Sequence, residues 1–288
     1  MRGHWLAAVL GVAISSTTAW ARPQQECLNA SLVAHDGTPV GTEEVVDGVT
    51  FYISKPTGDT VKGAVLYLTD VFGIQLLQNR LLADSFARAG YLTVAPDMFN
   101  GTPARVDIDL PTLEASQFLE AHDVNGTDAI VDKAVAYLRA TEAGAKKIAA
   151  TGYCFGGRYA FRVAAAGRKG ADVAFAAHPS MLEDDEISAV GGPASVAAAE
   201  TDPMMPPERR SEIEALLLKT GQPYQLSLYS GTSHGFGVRV NVSDPVQKFG
   251  KESAFLQAVR WFNKIRNSSQ LLNLNQHDYL RALQEHEN

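Results

Sequence analysis

The chain has 288 residues, of which 45% are hydrophobic and 20% charged, a composition typical of globular proteins. A chain of this length can bury a large core without disulfides or metals, and a single large α/β domain is a common outcome. The formal net charge is −7 and no basic segment stands out, which argues against nucleic acid or an anionic membrane surface as a partner.

The N-terminus has the pattern of a signal peptide. A short, weakly basic start is followed by an apolar run over residues 5–14 and then by the small-x-small sequence AWA at 19–21. The apolar run is too short to cross a bilayer, and no other stretch is long enough. We therefore predict a signal peptide over 1–21 and an extracellular mature chain. The alternative is a buried N-terminal helix.

Asn-x-Ser/Thr sequences agree with passage through a secretory pathway. Such sequences arise by chance, but five of them beside a signal peptide favour N-glycosylation. The candidate acceptors are Asn29, Asn100, Asn125, Asn241 and Asn267.

Two cysteines, Cys27 and Cys154, leave two interpretations open. In an oxidising compartment they could form one structural disulfide. The sequence around Cys154 instead favours a free, reactive thiol, for the reasons given below. The histidines are scattered and no Cys/His spacing resembles a metal-ligand set, so the sequence implies no metal or cofactor. It does not indicate an oligomeric state.

Short apolar runs alternate with helical periodicity along the chain, which predicts a mainly parallel sheet with helices on both faces. We assign residues 22–267 to this α/β domain and 268–288 to a helical or flexible tail. Residues 42–54 alternate like an antiparallel edge. The predicted strands are 64–68, 91–95, 147–151, 173–177, 193–198 and 224–229, and the predicted helices are 76–89, 113–122, 129–141, 158–166, 207–219 and 248–265.

The hexapeptide GYCFGG at 152–157 lies between a predicted strand and a predicted helix. A nucleophile elbow needs this context, because a tight strand-to-helix turn exposes the central side chain above the sheet. Flanking glycines permit the close backbone approach, and the helix N-terminus favours the thiolate form of Cys154. The alternative is that Cys154 is a small buried hydrophobic residue.

An acid and a base follow at the carboxyl ends of later strands. Asp202 comes after strand 193–198 and His234 after strand 224–229, the order expected after a nucleophile elbow. Cys154 would attack a carbonyl, His234 would transfer protons, and Asp202 would orient the imidazole. The competing residues are His178 for the base and Asp184 and Asp185 for the acid; all three occur earlier in the chain than this order requires.

Two backbone N–H groups are candidates for an oxyanion hole. One belongs to Phe155, directly after the nucleophile, and the other to Val71, in the loop after the first buried strand. Asp70 precedes Val71 and would lie near the thiol. Its position alone also fits a helix N-cap or a solvated loop acid.

The chain resembles the dienelactone hydrolases, in particular the fungal extracellular members. The resemblance extends from about Gly41 to Ile265. The motifs that carry it are DVFG at 70–73, GY at 90–91, PDMF at 96–99, GYCFGG at 152–157, ETDP at 200–203, YSG at 229–231 and HGF at 234–236.

This resemblance implies an α/β-hydrolase fold without a cofactor and a Cys-Asp-His triad that opens small lactones or esters. It also implies that the acid at position 70, here Asp70 where Glu is usual, contacts the resting thiol until substrate displaces it.

The resemblance further implies that arginines hold a carboxylate of the substrate, as they do in the family. After the Pro-Asp motif this chain has Asn100-Gly101 instead of arginine, so Arg239 and Arg105 are the candidates, with Tyr153 as a further substrate contact. A thioesterase, or a secreted binding protein without turnover, is the alternative function.

Overall fold

The computed structural model describes residues 33–58, 60–108 and 113–266. Its centre is an eight-stranded sheet in the order β1-β2-β4-β3-β5-β6-β7-β8. β1 pairs with β2, and β2 with β4, in antiparallel fashion, whereas all other pairs are parallel. The strands are β1 Thr42–Val46, β2 Val49–Ser54, β3 Gly63–Leu68, β4 Tyr91–Pro96, β5 Ile148–Tyr153, β6 Val173–Ala177, β7 Ala194–Thr201 and β8 Tyr224–Ser233.

Helices cover both faces of this sheet, which confirms the predicted fold class. The helices are α1 Leu77–Arg88, α2 Leu113–Ala121, α3 Val124–Arg139, α4 Glu142–Lys146, α5 Phe155–Val163, α6 Asp184–Ser188, α7 Pro207–Lys219 and α8 Pro245–Arg266. Side chains of α1 and α8, such as Phe86 and Phe255, belong to one core cluster. Side chains of α3, α5 and α7, such as Val131 and Phe161, belong to the other.

Central strands are buried along their whole length, as parallel strands covered on both faces should be. Every residue of β3, β5 and β6 is buried. The last strand, β8, has only one neighbour and is mostly half-buried or exposed. The continuous apolar runs of the sequence therefore mark the middle of the sheet.

β3 is the switch point of the topology. The chain leaves β3 for its neighbour β4 and returns to its other neighbour, β5. Loops that follow β3 and β5 therefore open a crevice at the carboxyl edge, where open α/β sheets bind their ligands. The segment starting at Asp70 follows β3, and Cys154 follows β5.

Three boundaries differ from the sequence predictions in an informative way. α5 begins at Phe155 rather than residue 158, because Gly156 and Gly157 are helical without contributing to hydrophobic periodicity. α3 begins five residues early, where Asp123 caps the helix by accepting a hydrogen bond from the Gly126 N–H. Helices α4 and α6 were not predicted, since five residues are too few to show a period.

Several predictions fall on residues outside those described: the signal peptide over 1–21, the tail over 268–288, Cys27, Asn29 and Asn267. Among the described helices, none combines the length and the apolar character needed to cross a membrane.

Candidate active site

Cys154 occupies a strained turn between β5 and α5. Its φ and ψ angles are 51° and −116°, a backbone conformation that side-chain-bearing residues rarely adopt. The side chain is 7% exposed, and the cysteine forms no disulfide in the structure. Strain of this kind at a strand-to-helix junction is the geometry of a nucleophile elbow.

Glycines on both sides allow the turn to close. A Cβ atom on Gly152 would lie 2.1 Å from the carbonyl oxygen of Gly156, and one on Gly156 would lie 2.2 Å from that of Leu68. Both obstacles are backbone atoms, which cannot rotate away as a side chain can. The two glycines are therefore required by close approach, as the sequence predicted from their spacing.

The three predicted triad residues lie in hydrogen-bonding contact. Cys154 Sγ is 3.1 Å from His234 Nε2, and His234 Nδ1 is 2.9 Å from each carboxylate oxygen of Asp202. The Asp202 side chain is fully buried, and its Oδ1 also accepts a hydrogen bond from the Met204 N–H at 2.9 Å. The buried carboxylate fixes the imidazole, which in turn faces the sulfur.

Electrostatics at His234 favour a protonated ring. Burial lowers its pKa, but the hydrogen bond that the ring donates to Asp202 and the interaction with Cys154 outweigh this, so that the pKa rises to about 10. A ring that holds its proton at neutral pH can donate it to a leaving group.

Both N–H groups predicted for the oxyanion hole are available. Neither the Phe155 nor the Val71 N–H has a hydrogen-bond partner among the residues that the structure describes. The Gly156 N–H donates to the Thr69 carbonyl oxygen at 3.0 Å, which ties the start of α5 to the loop after β3. The two loops that carry the free N–H groups are thus held side by side.

Asp70 is a buried acid with partners of its own. Its Oδ1 accepts hydrogen bonds from Asn79 Nδ2 at 2.8 Å and from the Phe72 N–H at 3.2 Å. Its side chain is 1% exposed, and burial raises its pKa. The alternatives of a solvated acid and a helix cap are wrong, because the residue is buried and Leu76 is the N-cap of α1.

The contact between Asp70 and the thiol that the family resemblance implied is not among the interactions of either group. Cys154 Sγ contacts His234 and, at 3.6 Å, the hydroxyl of Ser180. Asp70 Oδ2 instead faces the guanidinium of Arg239, with Nε at 3.5 Å. Asp has a shorter side chain than the Glu usual in the family, which is consistent with this difference.

Arg239 is the predicted substrate contact that the structure brings to this region. Besides Asp70, its guanidinium packs on the ring of Phe72, 4.3 Å from the centroid, and its side chain is 40% exposed. Phe72 directly follows Val71, so Arg239 lies beside the loop that carries one oxyanion donor.

The other two predicted substrate contacts are placed elsewhere. Arg105 is 70% exposed and forms two hydrogen bonds with Asp107, a local pair two residues away in an exposed loop. Tyr153 is 1% exposed and packs on Tyr67 at 5.2 Å in the core. Successive strand side chains alternate in direction, and Tyr153, the last residue of β5, points into the core layer shared with α1 and α8.

The structure also places the residues that competed for the roles of acid and base. Asp184 and Asp185 begin α6, where Asp184 binds Arg209. His178 is fully buried, with its ring centroid 5.1 Å from that of His234. Neither of its nitrogens has a hydrogen-bond partner in the described structure, and burial and the neighbouring His234 lower its pKa well below the usual value.

Two residues near the site were not predicted. Ser180 reaches the thiol from the loop after β6, and Asn79 connects Asp70 to the Gly73 carbonyl oxygen from α1. Ser180 follows a strand at its carboxyl end, a signal that could have identified it. Asn79 lies inside a helix, where nothing in the sequence distinguishes it.

The sheet order, the strained cysteine after β5 and the following acid and histidine define an α/β hydrolase. The model of the dienelactone hydrolase family matches residues 49–266, and the chain belongs to this family of hydrolases that act on carboxylic ester bonds. The hydrolase pyvD of Aspergillus violaceofuscus is 38% identical over 242 residues, 84% of this chain and 96% of the relative.

A carboxymethylenebutenolidase homologue of Mus musculus is 30% identical over 78% of this chain and 91% of its own length. Among solved structures, an esterase of Thermogutta terrifontis superimposes with a TM-score of 0.58 at 18% identity, covering 79% of this chain and 95% of the esterase. This last similarity concerns the fold alone.

Proposed function

We propose that this protein is a secreted hydrolase that opens small lactones or cleaves esters through an acyl-enzyme on Cys154. The observation that carries the proposal is the unbroken contact from Asp202 through His234 to the sulfur, at 2.9 and 3.1 Å. The family's action on ester bonds supplies the reaction class. Secretion rests on the signal peptide pattern of residues 1–21.

In the first half-reaction, the Cys154 sulfur forms a bond to the substrate carbonyl carbon, whose oxygen becomes an oxyanion. The N–H groups of Phe155 and Val71 stabilise this charge as it develops. When the tetrahedral intermediate collapses, the carbon–oxygen bond of the ester breaks. The leaving alkoxide takes the proton of His234, which leaves a thioester on the enzyme.

In the second half-reaction, water attacks the thioester and gives up a proton to His234. Collapse of the second tetrahedral intermediate breaks the carbon–sulfur bond and releases the carboxylic acid. The proton remains on His234 beside the thiolate, so that the resting state is restored. Asp202 is buried and keeps the ring in one orientation through both halves.

We assign to Arg239 the role of binding a carboxylate of the substrate. Its guanidinium is partly exposed, and Asp70 balances it only through a contact of 3.5 Å. A planar guanidinium stacked on Phe72 is held in a fixed orientation, which suits bidentate binding of a carboxylate.

The test is to measure kcat and KM for wild type and Cys154→Ala on 4-nitrophenyl acetate and on a carboxylated lactone. We expect Cys154→Ala to lower kcat by at least about a thousandfold, because the triad acts as a unit. Its melting temperature should stay close to that of wild type, since the side chain is small.

Cys27→Ala is the matched control, since it removes the only other cysteine. It should retain activity, and a loss of activity equal to that of Cys154→Ala would favour the disulfide interpretation instead. Arg239→Gln should raise KM for the carboxylated lactone and leave that for the neutral ester nearly unchanged. Undiminished turnover by Cys154→Ala would refute the proposal.

A further inference from the structure

The hydroxyl group of Ser180 has one hydrogen-bond partner in the described structure, the sulfur of Cys154. Ser180 is only 2% exposed. Its Oγ lies 3.6 Å from Cys154 Sγ, a contact distance that suits the large sulfur atom. A buried hydroxyl that finds no partner is costly, so burial itself keeps this group directed at the sulfur.

Three contacts fix the segment that carries Ser180 against the nucleophile elbow. The Ser180 N–H donates to the Cys154 carbonyl oxygen at 3.1 Å, and the Cys154 N–H donates to the Ala177 carbonyl oxygen at 3.2 Å. Pro179 lies so close to α5 that a Cβ atom on Gly157 would be 2.8 Å from the Cβ of Pro179. The backbone therefore holds Ser180 beside the nucleophile, and the hydroxyl is not free to turn to another partner.

Strained residues flank Ser180 on both sides. His178 and Met181 have φ angles of 38° and 54°, in the left-handed region that residues with side chains rarely adopt. The chain bends at each of them. Such conformations persist only where the surrounding structure imposes them, and they concentrate at functional sites. The segment thus accepts strain in the arrangement that brings a hydroxyl to the sulfur.

The charge of the resting site determines which atom donates. The raised pKa of His234 means that its ring holds a proton at neutral pH, and in the proposed cycle the sulfur beside it is a thiolate. A thiolate has no hydrogen to give, so the Ser180 hydroxyl is the donor. Hydrogen bonds to charged groups are stronger than those between neutral groups. The contact therefore stabilises the anion on Cys154.

His234 is the one titratable side chain that contacts the sulfur in the described part of the chain. Asp70 and Arg239 pair with each other at 3.5 Å. His178 packs against the ring of His234, and burial lowers its pKa so far that it is neutral. Ser180 is thus the second side chain that acts on the charge of the sulfur, and it does so without a charge of its own.

We infer that Ser180 is a further catalytic residue, whose hydroxyl stabilises the Cys154 thiolate in the free enzyme and again when the acyl-enzyme breaks down. The inference rests on the proposed function, because that cycle places a negative charge on the sulfur twice. The charge moves to the carbonyl oxygen when the sulfur attacks, and it returns to the sulfur when the carbon–sulfur bond breaks. Ser180 keeps its own proton throughout and only donates a hydrogen bond.

Alkylation of the free enzyme tests the contact without any substrate. The rate of iodoacetamide labelling at Cys154 would be measured from pH 4 to 9 by peptide mass spectrometry. Ser180→Ala should raise the pH of half-maximal labelling by about one unit, the strength of one hydrogen bond to a charged group. Ser54→Ala is the matched control and should follow wild type, because it removes a buried hydroxyl of β2 that has no partner in the described structure.

Kinetics on 4-nitrophenyl acetate test the role in the breakdown of the acyl-enzyme. The ester has a good leaving group, so hydrolysis of the thioester should limit kcat. Ser180→Ala should then lower kcat by about tenfold, because the sulfur leaves without its hydrogen-bond donor. The value of kcat/KM should fall much less, since a thiolate that has lost a donor is the stronger nucleophile.

An unchanged labelling profile, or equal losses of kcat and kcat/KM in a folded Ser180→Ala variant, would overturn the inference. A merely structural defect would produce the second result. Failure of the proposed function is a different observation: Cys154→Ala would keep its turnover, while the labelling shift of Ser180→Ala would still support a thiolate stabilised by the hydroxyl.

Discussion

Lys251 is a buried cation whose charge opposes folding. Its side chain lies on α8 and is 2% exposed. Burial lowers its pKa to about 8, against 10.5 for a free lysine. The lysine binds its proton more tightly in the unfolded chain than in the folded one. The destabilisation is therefore fully present below about pH 8, shrinks as the pH rises from 8 to 10.5, and is absent above that range.

Lys251→Met should therefore increase the free energy of unfolding at pH 7, by up to about 3 kcal/mol. Methionine has a similar volume and needs no solvent, so the core keeps its packing. Urea denaturation at several pH values would show the gain shrinking between about pH 8 and 10.5. A gain that stays constant over this range would show that the lysine charge is not its cause.

His178 shows that residue type alone does not identify the catalytic base. As a sequence feature it competed with His234 for the role of base, because both follow a strand. In the structure it is fully buried, while His234 faces the sulfur at 3.1 Å. The two histidines follow different strands of the sheet, and only folding shows which strand brings its histidine to the sulfur. The chain order expected after a nucleophile elbow had already favoured the later histidine, His234.

The junction of β5 and α5 is the element on which the site depends. The Gly156 N–H donates to the Thr69 carbonyl oxygen, and its Cα faces the Leu68 carbonyl group. Gly156→Ala would place a methyl group 2.2 Å from that oxygen. The two loops must then separate, and with them the two oxyanion donors.

We expect Gly156→Ala to lower the free energy of unfolding by about 1–3 kcal/mol or more, as overpacking generally does. Activity should fall even where the variant remains folded. Gly167→Ala is the matched control, because a Cβ atom there meets nothing within 4 Å. Chemical denaturation and kcat/KM measurements on both variants would check this, and equal effects would contradict the close-approach argument.

Sequence patterns predicted the helices and strands better than they predicted the side-chain contacts between them. Runs such as Val173–Ala177 coincide with β6, and α7 at Pro207–Lys219 matches its predicted range. The elbow glycines also implied the turn at Cys154. The pairing of Asp70 with Asn79 and Arg239 depends on residues brought together by folding, and no local periodicity records it.

At the scale of the whole molecule, secretion remains a prediction. It requires the mature chain to begin at Arg22, which N-terminal peptide mass spectrometry of protein from culture medium would test. The sequons at Asn100, Asn125 and Asn241 are all exposed, so glycans can be accommodated there. An intracellular protein that retains residues 1–21 would contradict the prediction.

The most direct test of the account is to trap the acyl-enzyme. Wild-type protein would be mixed with 4-nitrophenyl acetate, quenched in acid during the first turnover, digested and examined by peptide mass spectrometry. We predict one acetyl group, carried by the peptide that contains Cys154 and absent from Cys154→Ala. Steady turnover with no adduct, or with an acetyl group on another residue that is needed for activity, would contradict a cysteine nucleophile.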